Sequence, residues 1–172
     1  MEKLRVGVVG LGPRGRSMAS LAANFDCVTI AAGCDIRVHN WFEKQWQSPA
    51  PLADLYPSAT FYENYDEMLE KANLDVVIVE TGADIHAEFC AKALVKDINV
   101  LTDIPVVANL KEAELLWKAA AKSKAIISVG ANPNEQKFTV LLKDFYNLIF
   151  LLKNLFQFRQ LNYIFHYQLH SF

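Results

Sequence analysis

The sequence predicts an α/β fold built on a doubly wound parallel sheet, and three observations predict it. Short β-branched runs alternate with helix-patterned segments through the first four-fifths of the chain. One run, Asp75-Val-Val-Ile-Val-Glu80, is apolar without alternation, as a central parallel strand covered on both faces requires. The first run leads straight into a glycine-rich turn that opens a helix.

The elements follow in order. Leu4–Val9 reads as a strand, and a helix follows from about Gly15 to Asn24. Val28–Cys34 is the second strand, with a helix expected around Val38–Gln47. Ser48–Ser58 carries three prolines and reads as a loop. Thr60–Tyr62 is a short strand, and Tyr65–Ala72 a helix with Asn64 as N-cap. After the apolar strand come a helix over Ile85–Val95 and a strand over Asn99–Leu101. Leu110–Ser123, rich in Ala, Leu, Glu and Lys, is a helix, and Ala125–Val129 a last strand.

Composition narrows the classes of function. With 172 residues the chain is long enough for one domain, and its 52% apolar content suits a packed core. A net charge of −2 gives no electrostatic footprint for nucleic acid or an anionic membrane. Cys27, Cys34 and Cys90 are odd in number and lack CxxC spacing, so they read as reduced thiols and no metal site is expected. The apolar run Val6–Leu11 is short and glycine-punctuated, unlike a secretory leader, and the expected location is cytoplasmic.

The organisation expected is a nucleotide-binding domain over residues 1–144 and an atypical aromatic-rich tail over residues 145–172. From Phe145 to Phe172 there is no Gly, Ala, Val, Pro, Asp or Glu. One reading of the tail is a terminal helix packed on the domain. Lys143, Asp144, Lys153 and Arg159 break its apolar run short of the ~20 residues a membrane helix needs. The abrupt change of composition favours another reading, a gene truncated or shifted in frame near Asn147.

The chemistry-bearing segment is Val6-Gly-Val-Val-Gly10-Leu-Gly12-Pro-Arg-Gly15. Gly10, Gly12 and Gly15 fit G-x-G-x-x-G between a strand and a helix. The first permits the tight turn, the second lets backbone approach a pyrophosphate, and the third lets helix and strand pack closely. Exposed N–H groups and the helix dipole then hold the anion. Gly10, Leu11, Gly12, Pro13, Arg14 and Gly15 are therefore assigned to a dinucleotide, which makes the fold Rossmann-type. Asp35 ends the second strand, 20 residues after Gly15. A carboxylate there accepts hydrogen bonds from the adenosine ribose and repels a 2′-phosphate, which favours NAD over NADP. Arg37 pulls the other way, since an arginine can accommodate that phosphate. The competing reading of Asp35 is a cap for the next helix.

Three later segments end strands at the edge that lines the ligand crevice of an open α/β sheet. In Glu80-Thr-Gly-Ala-Asp-Ile-His86, Thr81 and Gly82 are placed against the cofactor. His86 is a candidate cofactor contact and proton carrier, although a histidine in a first helical turn more often serves structure. In Thr102-Asp-Ile-Pro105, Asp103 is a candidate for substrate or nicotinamide ribose, against the plainer reading of a turn residue. Gly130-Ala-Asn132-Pro133 brings Asn132 to the same edge.

Together these segments resemble the N-terminal domain of the glucose–fructose oxidoreductase and inositol dehydrogenase family (Gfo/Idh/MocA). The resemblance runs from Leu4 to about Lys143. It rests on the Gly10/Gly12/Gly15 loop, Asp35, the Thr81–His86 turn and the Asp103-Ile104-Pro105 turn, in the family's order and rough spacing. Asn109-Leu-Lys-Glu-Ala and the strand ending in Gly130-Ala-Asn132 add to it. The resemblance implies a nicotinamide cofactor and a sugar, polyol or related hydroxyl as substrate, with assembly into oligomers left open.

Two departures matter. Ile104 stands where the family usually places a lysine that positions substrate and supports proton transfer, and isoleucine has no titratable group. The family's C-terminal domain, which supplies the catalytic histidine and aspartate, is expected to be absent. Asp103 and His86 remain the catalytic candidates, and whether the chain is an enzyme stays open. The leading function is the NAD-binding domain of an oxidoreductase. The alternatives are a catalytically silent NAD-binding module or fragment, and NAD-dependent glycosidic cleavage within the same family. A short-chain dehydrogenase is disfavoured, because no Tyr-x-x-x-Lys pair lies at a suitable place.

Overall fold

The computed structural model describes residues 2–45 and 48–130. The expectations for the tail and for Asn132 lie outside the described residues. Within them, six parallel strands make one sheet in the order β3-β2-β1-β4-β5-β6. The strands are β1 Leu4–Val9, β2 Val28–Cys34, β3 Thr60–Tyr62, β4 Val76–Val79, β5 Asn99–Asp103 and β6 Ile127–Gly130. The helices are α1 Pro13–Ala23, α2 His39–Phe42, α3 Leu52–Leu55, α4 Tyr65–Lys71, α5 His86–Val95 and α6 Leu110–Lys122. This is the strand order of the Rossmann dinucleotide fold, as the alternation of runs predicts.

Local chemistry explains where the helices begin. α1 starts at Pro13, two residues before the expected Gly15, because proline at the first helical position loses no intrahelical N–H bond. Asn64 accepts from the Glu67 N–H and caps α4, as its sequence position predicts. Asn109 caps α6 in the same way through the Glu112 N–H, and Glu112 reaches back to the Ala108 N–H at 2.7 Å.

Two expectations are corrected. Of the helix expected over Val38–Gln47, the described residues form only His39–Phe42, and Glu43 is already extended. Its single turn is held by buried side chains: Trp41 lies against Gly33 and stacks on Phe61 at 5.8 Å, while Asn40 turns inward. A side chain at Gly33 would collide with the Trp41 ring. The proline-rich loop expected over Ser48–Ser58 contains the short helix α3, which starts after Pro51 and buries Leu52.

β4 is buried at every residue, which accounts for its unbroken apolar sequence. Val77 and Val79 join a core with Met68 of α4, Leu94 of α5 and Leu116 of α6. Strand alternation turns Val76 and Ile78 to the opposite face, where α1 packs with Met18 and Ala22 buried. Among the described residues no helix is long and apolar enough to cross a membrane.

β1 and β4 are neighbours, with Val9 opposite Val79. On one side of them the order runs to β2 and β3, on the other to β5 and β6. The connections after β1 and β4 leave in opposite directions, and a crevice opens at their carboxyl ends. The fold therefore depends on the core beneath that edge. Leu94→Ala, at a fully buried position, is expected to cost about 2–5 kcal/mol in urea denaturation.

Candidate dinucleotide-binding site

The carboxyl ends of five strands lie side by side at this edge. Val9 pairs with Cys34 and Val79, Val79 with Thr102, and Asp103 with Gly130. The Thr102 hydroxyl, fully buried, donates to the Val79 carbonyl at 3.1 Å and ties β5 to β4.

The glycine loop is built by backbone contact. Gly10 has φ +84°, a conformation L side chains rarely adopt, and a Cβ there would strike the Glu80 carbonyl oxygen. A Cβ at Gly15 would strike the Gly10 carbonyl oxygen. At Gly12 a Cβ would meet nothing within 4 Å. Two glycines are thus required by the protein's own packing, while the space above the third is open. α1 rises from this loop with no acidic residue in its first turn, so its positive end is left for an anion. Pro13 and Arg14 are exposed at the start of that helix, and the Leu11 side chain is wholly buried.

Asp35 organises the other side. Its carboxylate accepts from the Leu11 N–H at 2.7 Å, the Arg37 N–H at 2.8 Å and the Asn40 side-chain amide at 2.9 Å. α2 has no side-chain cap, so the capping reading of Asp35 does not hold. The carboxylate instead clamps the glycine loop to the end of β2. Ile36, beside it, is 84% exposed.

At the centre, Arg14 bridges two carboxylates. Its Nε lies 3.1 Å from Asp103 Oδ2 and 3.9 Å from Glu80 Oε2. The Glu80 side chain is only 4% exposed. Burial, followed by the nearby Asp103 charge, pushes the Glu80 carboxyl up to about 7, and Arg14 offsets part of this. Glu80 and Asn40 were not singled out from the sequence. A carboxylate ending a wholly apolar strand was the available signal for Glu80. Asn40 gave none, because its role depends on the early end of α2.

His86 is buried, with Nδ1 3.0 Å from the Pro105 carbonyl, so the ring donates from Nδ1. Its Nε2 is buried without a hydrogen-bond partner among the described residues. Thr81 is half-buried and Gly82 exposed, at the start of the turn after β4. Ile104 is 53% exposed at the crevice edge. Burial raises the Cys34 and Cys90 thiols to about 12 each, which keeps both protonated and excludes them as nucleophiles at neutral pH. Among the described residues, no group of three or more His, Cys, Asp or Glu is placed to hold a metal.

Residues 4–131 match the model of an oxidoreductase family, GFO_IDH_MocA, described as an NAD-binding Rossmann fold. The chain belongs to the Gfo/Idh/MocA family. It contains that family's NAD-binding Rossmann domain. Among curated relatives, a glycosyl hydrolase family 109 protein of Streptomyces niveus is 30% identical over 118 residues, covering 67% of this chain and 23% of the relative. Among solved structures, the myo-inositol 2-dehydrogenase of Lactobacillus plantarum superposes with TM-score 0.65 at 22% identity, covering 75% of this chain and 36% of that one. GenD2 from gentamicin A biosynthesis, in complex with NAD, superposes with TM-score 0.65 at 25% identity, over 76% of this chain and 35% of that one. The chain spans about a quarter of the length of the curated relatives it matches.

Glu80 gives the domain a pH signature. Its folded pKa lies above its ordinary value, so the folded state favours the proton. Its stabilising share is full below pH 4.5, declines as pH rises to about 7 and is constant beyond. Glu80→Gln is expected to raise the thermal midpoint relative to wild type at pH 8 and to narrow that gap at pH 5, read by calorimetry.

Proposed function

We propose that this chain is the cofactor-holding part of an oxidoreductase that passes hydride between NAD and a hydroxyl of a sugar, polyol or related substrate. The observation that carries the reading is the loop at the β1/β4 switch point: its open face lies above Gly12, and Asp35 stands at the neighbouring strand end. NAD fits this set of residues. The free N–H groups at the start of α1 would hold the pyrophosphate, and Leu11 to Gly15 would line it. Asp35 would receive the adenosine ribose hydroxyls, and the exposed Ile36 gives the adenine an apolar neighbour. Asp103, Thr81 and Gly82 would face the nicotinamide half. When bound, the nicotinamide supplies the redox chemistry, and the protein supplies orientation and charge.

His86 serves in this reading as a strut. Its bond to the Pro105 carbonyl holds the Asp103–Pro105 turn against α5. Ile104 offers no proton acceptor, which favours a second reading, an NAD-binding module that does not turn over substrate by itself. The unpaired thiols Cys27, Cys34 and Cys90 support a reducing compartment, and we place the protein in the cytoplasm.

Gly12→Val separates the cofactor site from the fold. The valine enters space that no described protein atom fills, so the thermal midpoint should hold while NAD affinity falls at least tenfold by titration calorimetry. Unchanged affinity would remove the loop from the site.

The second expectation concerns the phosphate. NAD should bind about tenfold or more tightly than NADP, because the Asp35 carboxylate repels a 2′-phosphate. Equal binding of the two would mean that Arg37 dominates. Steady NADH production from a panel of polyols decides for the oxidoreductase, and NAD binding without turnover decides for the silent module.

A further inference from the structure

Glu80 is wedged under the anion loop. Its carbonyl meets Gly10, and its Cβ lies 3.5 Å from where a Cβ at Gly15 would sit. Its side chain thus leaves from beneath the loop, and its carboxyl is buried with Oε2 3.9 Å from Nε of Arg14 at the start of α1. Among the described residues, the ionisable groups facing it are Arg14 of α1 and Asp103 of β5. On the β1 side the neighbours are Val9 and Gly10, which carry no titratable group. α5 also packs on β4, but its His86 engages Pro105 and its Cys90 engages Thr102.

One guanidinium thus serves two carboxylates, and Asp103 holds it more closely. With Glu80 ionised, the three groups sum to one negative charge, and the Glu80 carboxylate in that sum is almost wholly shielded from solvent, whereas Arg14 is exposed. With Glu80 protonated, they sum to zero. An arriving pyrophosphate discriminates between these two states, since a buried carboxylate is weakly screened and repels a nearby anion.

We propose that Glu80 is a proton-linked determinant of cofactor affinity: the chain takes up a proton at this carboxyl as the dinucleotide enters the loop. The inference rests on the NAD-binding reading above. By linkage, a ligand that prefers the protonated form raises the pKa of the group and binds more weakly as pH climbs through the free pKa. Burial and the Asp103 charge push this carboxyl up to about 7, inside the physiological range. Cofactor occupancy would then follow pH at fixed NAD concentration.

The test is isothermal calorimetry of NAD binding to the full chain at pH 6.0, 7.0 and 8.5. Wild type should bind about tenfold or more weakly at pH 8.5 than at pH 6.0. At pH 7.5, titrations in two buffers of different ionisation enthalpy should report net uptake of a sizeable fraction of a proton per NAD bound. Glu80→Gln should bind at all three pH values with the low-pH affinity of wild type. Asp103→Asn, which leaves the burial of Glu80 but removes the neighbouring charge that adds to it, should keep the pH dependence but move its midpoint downward. Equal wild-type affinity at pH 6.0 and 8.5 overturns the inference, as does absence of proton uptake. A pH dependence that survives in Glu80→Gln assigns the proton elsewhere and overturns it too. If NAD fails to bind at any of the three pH values, the cofactor reading itself falls, and the inference with it.

Discussion

Three pieces of backbone meet at one point: the first glycine of the loop, the third glycine in the opening turn of α1, and the carbonyl of Glu80 at the end of β4. No side chain fits between them, because a Cβ at Gly10 or Gly15 would occupy the position of a carbonyl oxygen. This contact brings α1 down onto the switch point of the sheet and aims its N-terminal N–H groups into the crevice. The central location of β4, the burial of its four residues and the order of the strands all support the floor on which the contact rests. The positive φ of Gly10 follows from the same constraint, since the chain must reverse within a residue of leaving β1.

The loop is braced by the protein's own groups. Asp35 holds the Leu11 N–H, so the clamp between the ends of β1 and β2 is made of protein groups alone. Preorganisation of this kind lowers the ordering cost of binding. In the proposed reading Asp35 would add a ribose contact to the loop contact, and a ribose hydroxyl would have to join or displace the Asn40 amide among its three hydrogen bonds. The other half of the site is more charged. Arg14 lies across Asp103 and Glu80, which draws the turn after β5 toward α1 and fixes both beside the place where the nicotinamide half would lie.

Much of this was legible from residues alone. The strand runs, the glycine spacing and the position of Asp35 carry physical meaning at short range, and the N-caps Asn64 and Asn109 mark helix starts through a single side chain each. What sequence pattern missed depends on contacts between distant segments. The single turn after β2 is held by Trp41 against Gly33 and Asn40 against Asp35, and the chain is extended from Glu43; helical periodicity encodes none of these. α3 lay hidden among prolines, one of which sets up its start. Glu80 reads as the edge of a turn until the sheet register places it under Gly15, where its burial and its shared arginine become visible.

The central claim is that the dinucleotide occupies the loop between β1 and α1. Hydrogen–deuterium exchange of the full chain, with and without NAD, addresses it at the level of the backbone groups invoked. The account predicts slowed exchange at the amides of Gly12, Arg14 and Gly15 on addition of NAD, with weaker protection around Asp35 and Thr81. Protection confined to other segments, or none in the loop at saturating NAD, would contradict it.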